Sequence, residues 1–220
     1  MASKHQAVRT EPVRAWRGVQ AHALDAILRD AVDLAIWERA LAAGLSAAIG
    51  QADLGGVEFL RFETPADRVA EELCLAFLEA GIEGDGWALA EDAQLLACAF
   101  ARNLGIDDVA IRLEHVTGDA CRRFHADYVS ARLITTYSGP GTQWLDAEAA
   151  ARHEAGIAPH PTEIRQLREG DVGIFKGRRW PGATSIVHRS PPILASGAAR
   201  LLLVIDPARS QPGQIMGAAR

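Results

Sequence analysis

His125-Ala126-Asp127 sets an imidazole and a carboxylate two residues apart, and a second imidazole, His188, follows sixty-three residues after the first. Two imidazoles and one carboxylate can take one face of an octahedral ion and leave the other positions open, a donor set that suits non-haem Fe(II). Arg200 lies twelve residues beyond His188. A guanidinium there can hold a carboxylate through two parallel hydrogen bonds, so it is a candidate clamp for an anion bound at the metal, or else a strand-mouth arginine paired with Asp206, Glu114 or solvent. Arg189, next to His188, competes for that role, and Tyr137 could donate a hydrogen bond to the same ligand or serve as a core tyrosine. Cys121, four residues before His125, leaves open a zinc site of mixed sulfur, nitrogen and oxygen donors, with His115 as another candidate ligand.

Such a site needs elements that bring its parts together. Residues i and i+2 of a strand share a face, so a strand over 122–128 would project His125 and Asp127 to the same side. After Gly105 the chain breaks into short apolar or alternating runs separated by glycine and proline, which predicts strands over 109–116, 122–128, 131–138, 171–176, 185–190 and 199–206. The last, Arg200-Leu-Leu-Leu-Val-Ile-Asp206, is apolar throughout its centre and is expected to be buried on both faces. An antiparallel barrel or sandwich of roughly eight strands fits this pattern. The segment 147–163 is long for a connection between strands and suggests a helix-containing insertion.

Residues 1–107 read as helices bracing that barrel. Ala21 to Leu28 is a first segment, and Leu34, Trp37, Leu41, Leu45 and Ile49 recur at helical spacing up to Gly50 and the Gly55-Gly56 turn. Thr64-Pro65-Ala66-Asp67 resembles a capped helix start ahead of Val69, Leu73 and Phe77, with Glu83-Gly84-Asp85-Gly86 as the breaker. A further helix from about Trp87 to Leu104 carries Leu89, Leu96 and Phe100 and stops at Gly105. The expected fold is α+β, with a helical region over 1–107 and a metal-binding barrel over 108–220 forming one compact unit.

Composition narrows the function. No apolar run reaches the roughly 18 residues that span a bilayer, and the N-terminus lacks a secretory pattern, so a bacterial-type cytoplasmic protein without a membrane role is expected. Three widely spaced cysteines argue against a disulfide framework, and Cys74 and Cys98 are expected to be buried thiols. Residues 1–107 hold 9 basic and 17 acidic side chains, residues 108–220 hold 14 and 11. That mild excess of arginine is too small for nucleic acid and fits an anionic small molecule. His153 and His160 fall in the polar insertion and are expected at the surface, Lys176 is expected as a solvated strand-end lysine, and Trp180-Pro-Gly182 as a turn with a buried aromatic. No serine has the nucleophile-elbow setting, and no glycine cluster forms a phosphate cradle.

The order of these parts resembles the double-stranded β-helix of the Fe(II)- and 2-oxoglutarate-dependent dioxygenases. His125-Ala-Asp127 stands where they carry H-x-D, Arg132-Leu-Ile-Thr-Thr-Tyr137 and Leu167-Arg-Glu-Gly-Asp-Val-Gly-Ile-Phe175 resemble the strands that follow, and Val187-His-Arg-Ser-Pro-Pro192 the distal histidine strand. The resemblance implies a jelly-roll (cupin-like) barrel in which His125, Asp127 and His188 hold Fe(II) and Arg200 takes 2-oxoglutarate, in a hydroxylase acting on a small-molecule or peptide substrate. Zinc is the alternative ion, in a protein that binds or senses metal without turnover; an interaction module on a degenerate barrel is a third reading. Over nearly the whole chain, Cys121-Arg-Arg-Phe-His-Ala-Asp-Tyr128, Tyr137-Ser-Gly-Pro-Gly-Thr142, Phe175-Lys-Gly177 and His188-Arg-Ser-Pro-Pro192 are similar to an uncharacterised bacterial family, domain of unknown function eighteen twenty-six.

Overall fold

A computed structural model describes residues 15–51, 59–82, 86–182 and 184–209. Ten strands form two sheets: β1 (Ala15–Gly18), β2 (Leu34–Trp37), β3 (Phe59–Pro65), β4 (Asp108–Val116), β5 (Ala131–Ser138), β6 (Gln143–Leu145), β7 (Ile164–Gln166), β8 (Val172–Lys176), β9 (His188–Arg189) and β10 (Arg200–Pro207). The major sheet has the order β1-β2-β8-β5-β10-β4-β3, and the minor sheet β7-β6-β9. All pairs are antiparallel except β1 with β2. The helices are α1 (Ala43–Gln51), α2 (Val69–Glu79), α3 (Trp87–Leu104) and α4 (Ala147–Glu154).

Side-chain alternation divides the major sheet between two cores. Leu201, Leu203 and Ile205 of β10 share a buried cluster with Val109, Ile111 and Leu113 of β4, Leu133 and Tyr137 of β5, and Leu73, Leu89, Leu96 and Phe100 of α2 and α3. The intervening Leu202 and Val204 point the other way and join Ile134, Phe175, Trp144 and Ile186 between the two sheets. This explains the unbroken apolar run of β10: a central strand covered on both faces has no polar side to show. Its register against β4 and β5 puts Arg200 on the same face as Leu202 and Val204.

Several sequence expectations need correction. Leu34–Trp37 is a strand, not the start of a helix, and α1 begins only at Ala43. A four-residue buried apolar run has no periodicity that separates strand from helix, and its chance spacing with Leu41, Leu45 and Ile49 bridged a strand, a loop and a helix. Thr64 and Pro65 end β3 and cap nothing; a 3-10 turn over Ala66–Arg68 leads into α2 without a side-chain cap. The segment 21–28 is also a 3-10 helix. Thus the first 107 residues are not helical alone, since β1, β2 and β3 extend both edges of the major sheet. The Gly55-Gly56 turn and most of the 83–86 breaker lie outside the described residues.

Among the other expectations, the helix features and the buried Trp180 hold, while those for Cys74, Cys98 and Lys176 do not. Val69, Leu73 and Phe77 are the buried stripe of α2, and Gly105 closes α3 in the left-handed region with φ of 64°. The 147–163 insertion contains α4, capped by Asp146 accepting from Ala149 N. Trp180 is buried. Cys98 is exposed and Cys74 half-buried, so neither is the core thiol expected. Lys176 is not solvated: its Nζ donates to Arg29 O at 2.9 Å and lies 4.7 Å from the Trp180 ring centre, on the face opposite Phe175. Burial pushes its pKa down, against the pull of Asp33 and Asp30.

Candidate metal and anion site

His125 and Asp127 do not sit on a strand. The chain from Arg122 to Tyr128 is irregular, and its one ladder contact is the bridge between His125 and His188. That bridge does the positioning. His125 N donates to His188 O at 2.9 Å and His188 N donates to His125 O at 2.8 Å, a reciprocal pair that sets both side chains on one face, with ring centres 4.9 Å apart. Asp127 is held from below: its carbonyl accepts from Arg178 N at 2.9 Å, where the chain passes close over Gly177. A Cβ on Gly177 would fall 2.2 Å from Val129 O and 3.0 Å from Asp127 O, so only glycine lets the loop approach this closely.

The three side chains converge. One ligand atom from each of His125, Asp127 and His188 lies within 4.8 Å of the others. His125 Nδ1 is 2.9 Å from Arg123 O and His188 Nδ1 is 3.2 Å from Ile186 O. Each Nδ1–H donating to a carbonyl leaves the Nε2 lone pair free on the cluster side, the arrangement that prepares histidine for a metal. His188 Nε2 is 3.2 Å from Asp127 Oδ2 and His125 Nε2 is 3.6 Å from Asp127 Oδ1. His188 is buried against the Phe175 ring, whereas His125 is partly open to solvent.

Burial would raise the Asp127 carboxyl, but the adjoining His188 ring, the Arg132 guanidinium and the nearby His125 ring outweigh it and hold the pKa at about 2. The group is therefore an anion at neutral pH. Its Oδ2 is buried and lacks a hydrogen-bond donor. An orphaned carboxylate oxygen facing two imidazole lone pairs is what a bound cation would satisfy, and the residues fit a divalent metal.

Arg132 was not singled out as a site residue, yet it fixes the carboxylate. Its Nη1 meets Asp127 Oδ1 at 2.7 Å, while Nε and Nη2 clasp Asp206 Oδ1 and Oδ2 at 2.7 Å each. The available signal was an arginine at an inward position of β5, in line with Ile134 and Thr136. Arg132→Gln is expected to weaken Co(II) affinity by about 10- to 100-fold, the usual effect of losing a group that orients a ligand; a Co(II) titration followed by visible absorption reads it, and unchanged affinity would remove Arg132 from the site.

Arg200 closes the other end. It is fully buried; Nη1 donates to Ser190 Oγ at 2.9 Å, and Nη2 to Thr136 Oγ1 and Thr142 Oγ1 at 3.2 and 3.4 Å. Nε has no partner, and no described carboxylate pairs with this guanidinium. Burial lowers its pKa to about 10 against the opposing charge of Glu114, so it remains a cation. Ser190 and Thr142 also line the cavity of about 180 Å³ that contains His125, Asp127, His188 and Arg132.

The remaining candidates lie elsewhere. Tyr137 is not at the site: it is odd-numbered on β5, faces the helices, and donates to Asp92 Oδ2 at 2.7 Å beside Arg39, which itself clasps Asp92 at 2.6 and 2.8 Å. Arg189 borders the cavity, but its side chain departs on the far face of the minor sheet. There Nε donates to Gln143 Oε1 at 2.8 Å and the guanidinium rests 4.3 Å from the Phe124 ring centre. The reason is alternation, since His188 points inward and its neighbour must point outward. Cys121 lines the cavity without joining the three-residue cluster, and His115 belongs neither to the cluster nor to the cavity wall, its β4 neighbours Glu114 and Val116 facing the cavity instead.

Fold and site together define an α+β protein with a His/Asp/His candidate metal centre between two sheets and a buried, acid-free arginine near it. The chain belongs to the family described as "Protein of unknown function (DUF1826)", whose family model matches residues 18–206. No curated protein matches it. Among solved structures it is similar to the dioxygenase for auxin oxidation 1 of Arabidopsis thaliana in binary complex with 2-oxoglutarate, with 10% identity, 91% of this chain and 94% of that chain covered, and a TM-score of 0.48. It is also similar to the dioxygenase for auxin oxidation of rice (12% identity, 89% and 82% covered, TM-score 0.46). A Pseudomonas putida prolyl-4-hydroxylase gives 16% identity, 86% and 98% coverage, and a TM-score of 0.43. Among the described residues no helix is long and apolar enough to cross a membrane.

Proposed function

We propose that this protein is a non-haem Fe(II)- and 2-oxoglutarate-dependent oxygenase that hydroxylates a substrate admitted between the two sheets. The observation that carries the reading is a three-donor cluster on one cavity with a buried guanidinium behind the Ser190 and Thr142 part of its wall, a guanidinium that pairs with no described acid. A buried cation without a carboxylate is costly unless a ligand completes it. The packing supports a double-stranded β-helix: side chains of β2, β8, β5 and β10 share a core with Trp144 of β6 and Ile186, and the minor sheet carries the bridge from His188 to His125. In this reading 1–107 and 108–220 work as one unit, since β3 pairs with β4 along its length.

His125, Asp127 and His188 would hold the iron, and Arg200 the distal carboxylate of 2-oxoglutarate. When bound, the pair supplies oxygen activation, with two electrons coming from oxidative decarboxylation of the co-substrate. The chain's own residues do the rest. Arg132, anchored by Asp206, helps keep Asp127 ionised and aims it. Thr136, Thr142 and Ser190 fix the Arg200 fork, while Phe175, Leu202, Val204 and Ile134 exclude water from the space between.

Anaerobic addition of Fe(II) and then 2-oxoglutarate to the metal-free protein is expected to give a visible metal-to-ligand charge-transfer band that saturates at one equivalent of iron. Tight zinc binding without any band would instead mark a metal-binding protein that performs no turnover.

A further inference from the structure

The core between the sheets ends at β10. Its apolar side chains come from β2, β8, β5 and β10 of the major sheet; β4 instead brings Arg112, Glu114 and Val116 to the cavity, and β3 beyond it exposes alternate residues. Alternation decides what they present there. Leu60 and Phe62 of β3 turn to the helical core with Ile111 and Leu113, which leaves Phe59, Arg61 and Glu63 on the cavity face beside Arg112 and Glu114. Arg112 and Glu114 line the same cavity as the metal cluster.

The register sets Arg61 directly opposite Arg112. Like charges in that position repel and destabilise a ladder. Arg112 has partial relief from Glu114, at 3.4 Å. Arg61 is exposed and forms no ion pair with any described residue, Glu63 on its own strand included. Two cations side by side on an open ledge, one strand from β10, form a receptor for a planar or tetrahedral oxyanion.

We propose that the primary substrate is an anion whose carboxylate or phosphate docks between Arg61 and Arg112, with its reactive carbon over Val204 and Ile134 beside the metal cluster. What happens at that carbon rests on the oxygenase reading; the docking does not. Strands lie about 4.8 Å apart, so Arg112 is about 10 Å from β5, and the anionic group stands several bonds from the reacting position. The ledge also separates two anion roles: Arg200 is sealed and takes the co-substrate, whereas Arg61 and Arg112 face incoming solvent and select what enters.

The test titrates metal-free protein at low ionic strength, where exposed charge pairs are least screened, with inorganic phosphate and separately with butyrate. The arginine Nε–Hε signals are followed by NMR. Arg61 and Arg112 are expected to shift together along one saturable curve, more strongly than exposed Arg165 on β7. Arg61→Gln and Arg112→Gln should each weaken that binding by about tenfold, the loss of one charge-assisted contact, while Arg165→Gln leaves it unchanged. The tighter of the two probes assigns the anionic group. Shifts no larger than those of Arg165, or binding weakened as much in Arg165→Gln, would overturn the proposal. The two readings fail separately: intact phosphate binding without a charge-transfer band sinks the oxygenase, and an intact band without any response at Arg61 and Arg112 sinks the anionic substrate.

Discussion

His188→Ala is expected to abolish metal binding, with Co(II) affinity falling by more than about 100-fold, because loss of a ligand exceeds the 10- to 100-fold effect of groups that only orient ligands. The design of the site makes this a clean readout. His188 is tied into the fold through its backbone, by reciprocal bonds to His125, and these survive removal of the ring. The ring itself touches Phe175 and Asp127, so its loss leaves a small void and one carboxylate with fewer partners. Some stability is lost, but the cooperative unfolding transition should persist. A folded variant that still binds Co(II) tightly would show that the three side chains are a polar cluster and not a metal centre.

Arg200→Met is expected to do the reverse. An isolated buried guanidinium is unfavourable to folding, and its replacement by an apolar side chain of similar length is often neutral or stabilising. The thermal midpoint of the metal-free variant should therefore stay level or rise, although Nη1 and Nη2 give up their bonds to Ser190, Thr136 and Thr142. Affinity of the Fe(II)-loaded protein for 2-oxoglutarate should fall by about 100-fold or more, since leaving a buried ligand carboxylate without its partner costs about 2–5 kcal/mol. Isothermal titration and thermal unfolding together check both halves. Unchanged affinity would dismiss Arg200 as the clamp, and Arg189 would not replace it, because its side chain already stacks on Phe124 across the minor sheet.

Much of the site was legible because its parts are chemically unusual where they stand. A histidine and an aspartate two apart are weak evidence alone; a distal histidine and an arginine opening an apolar strand, in that order, give the pattern its weight. What failed was the route to them. H-x-D was read as a strand because strand alternation would align its side chains, whereas a single bridge to His188 and a glycine-permitted close approach do the same work without a strand. Alternation, applied to β5 and β9, would have sent Tyr137 and Arg189 away from the cavity, but this needs the register of Thr136 and His188 to be known first. In the N-terminal half, the alternating exposure of Phe59–Pro65 marks a strand plainly in the structure; in the sequence, Thr64-Pro65 drew the reading toward a helix start instead. The strands β1, β2, β6 and β7 have three or four residues each, too short for any period to show.

The strand β10 carries Arg200 at its first residue and Asp206 at its seventh, and both point to the same face. Six extended steps separate their backbones by about 20 Å, and the inward reach of Arg200 and of the Asp206–Arg132–Asp127 chain closes that interval from both ends. The working length of the site is thus gauged by one rigid segment and not by the loops that furnish the histidines. Insertions in 117–124 or 155–160 can reshape the entrance without changing the interval, while one residue added to or removed from β10 would turn one of its two ends to the wrong side.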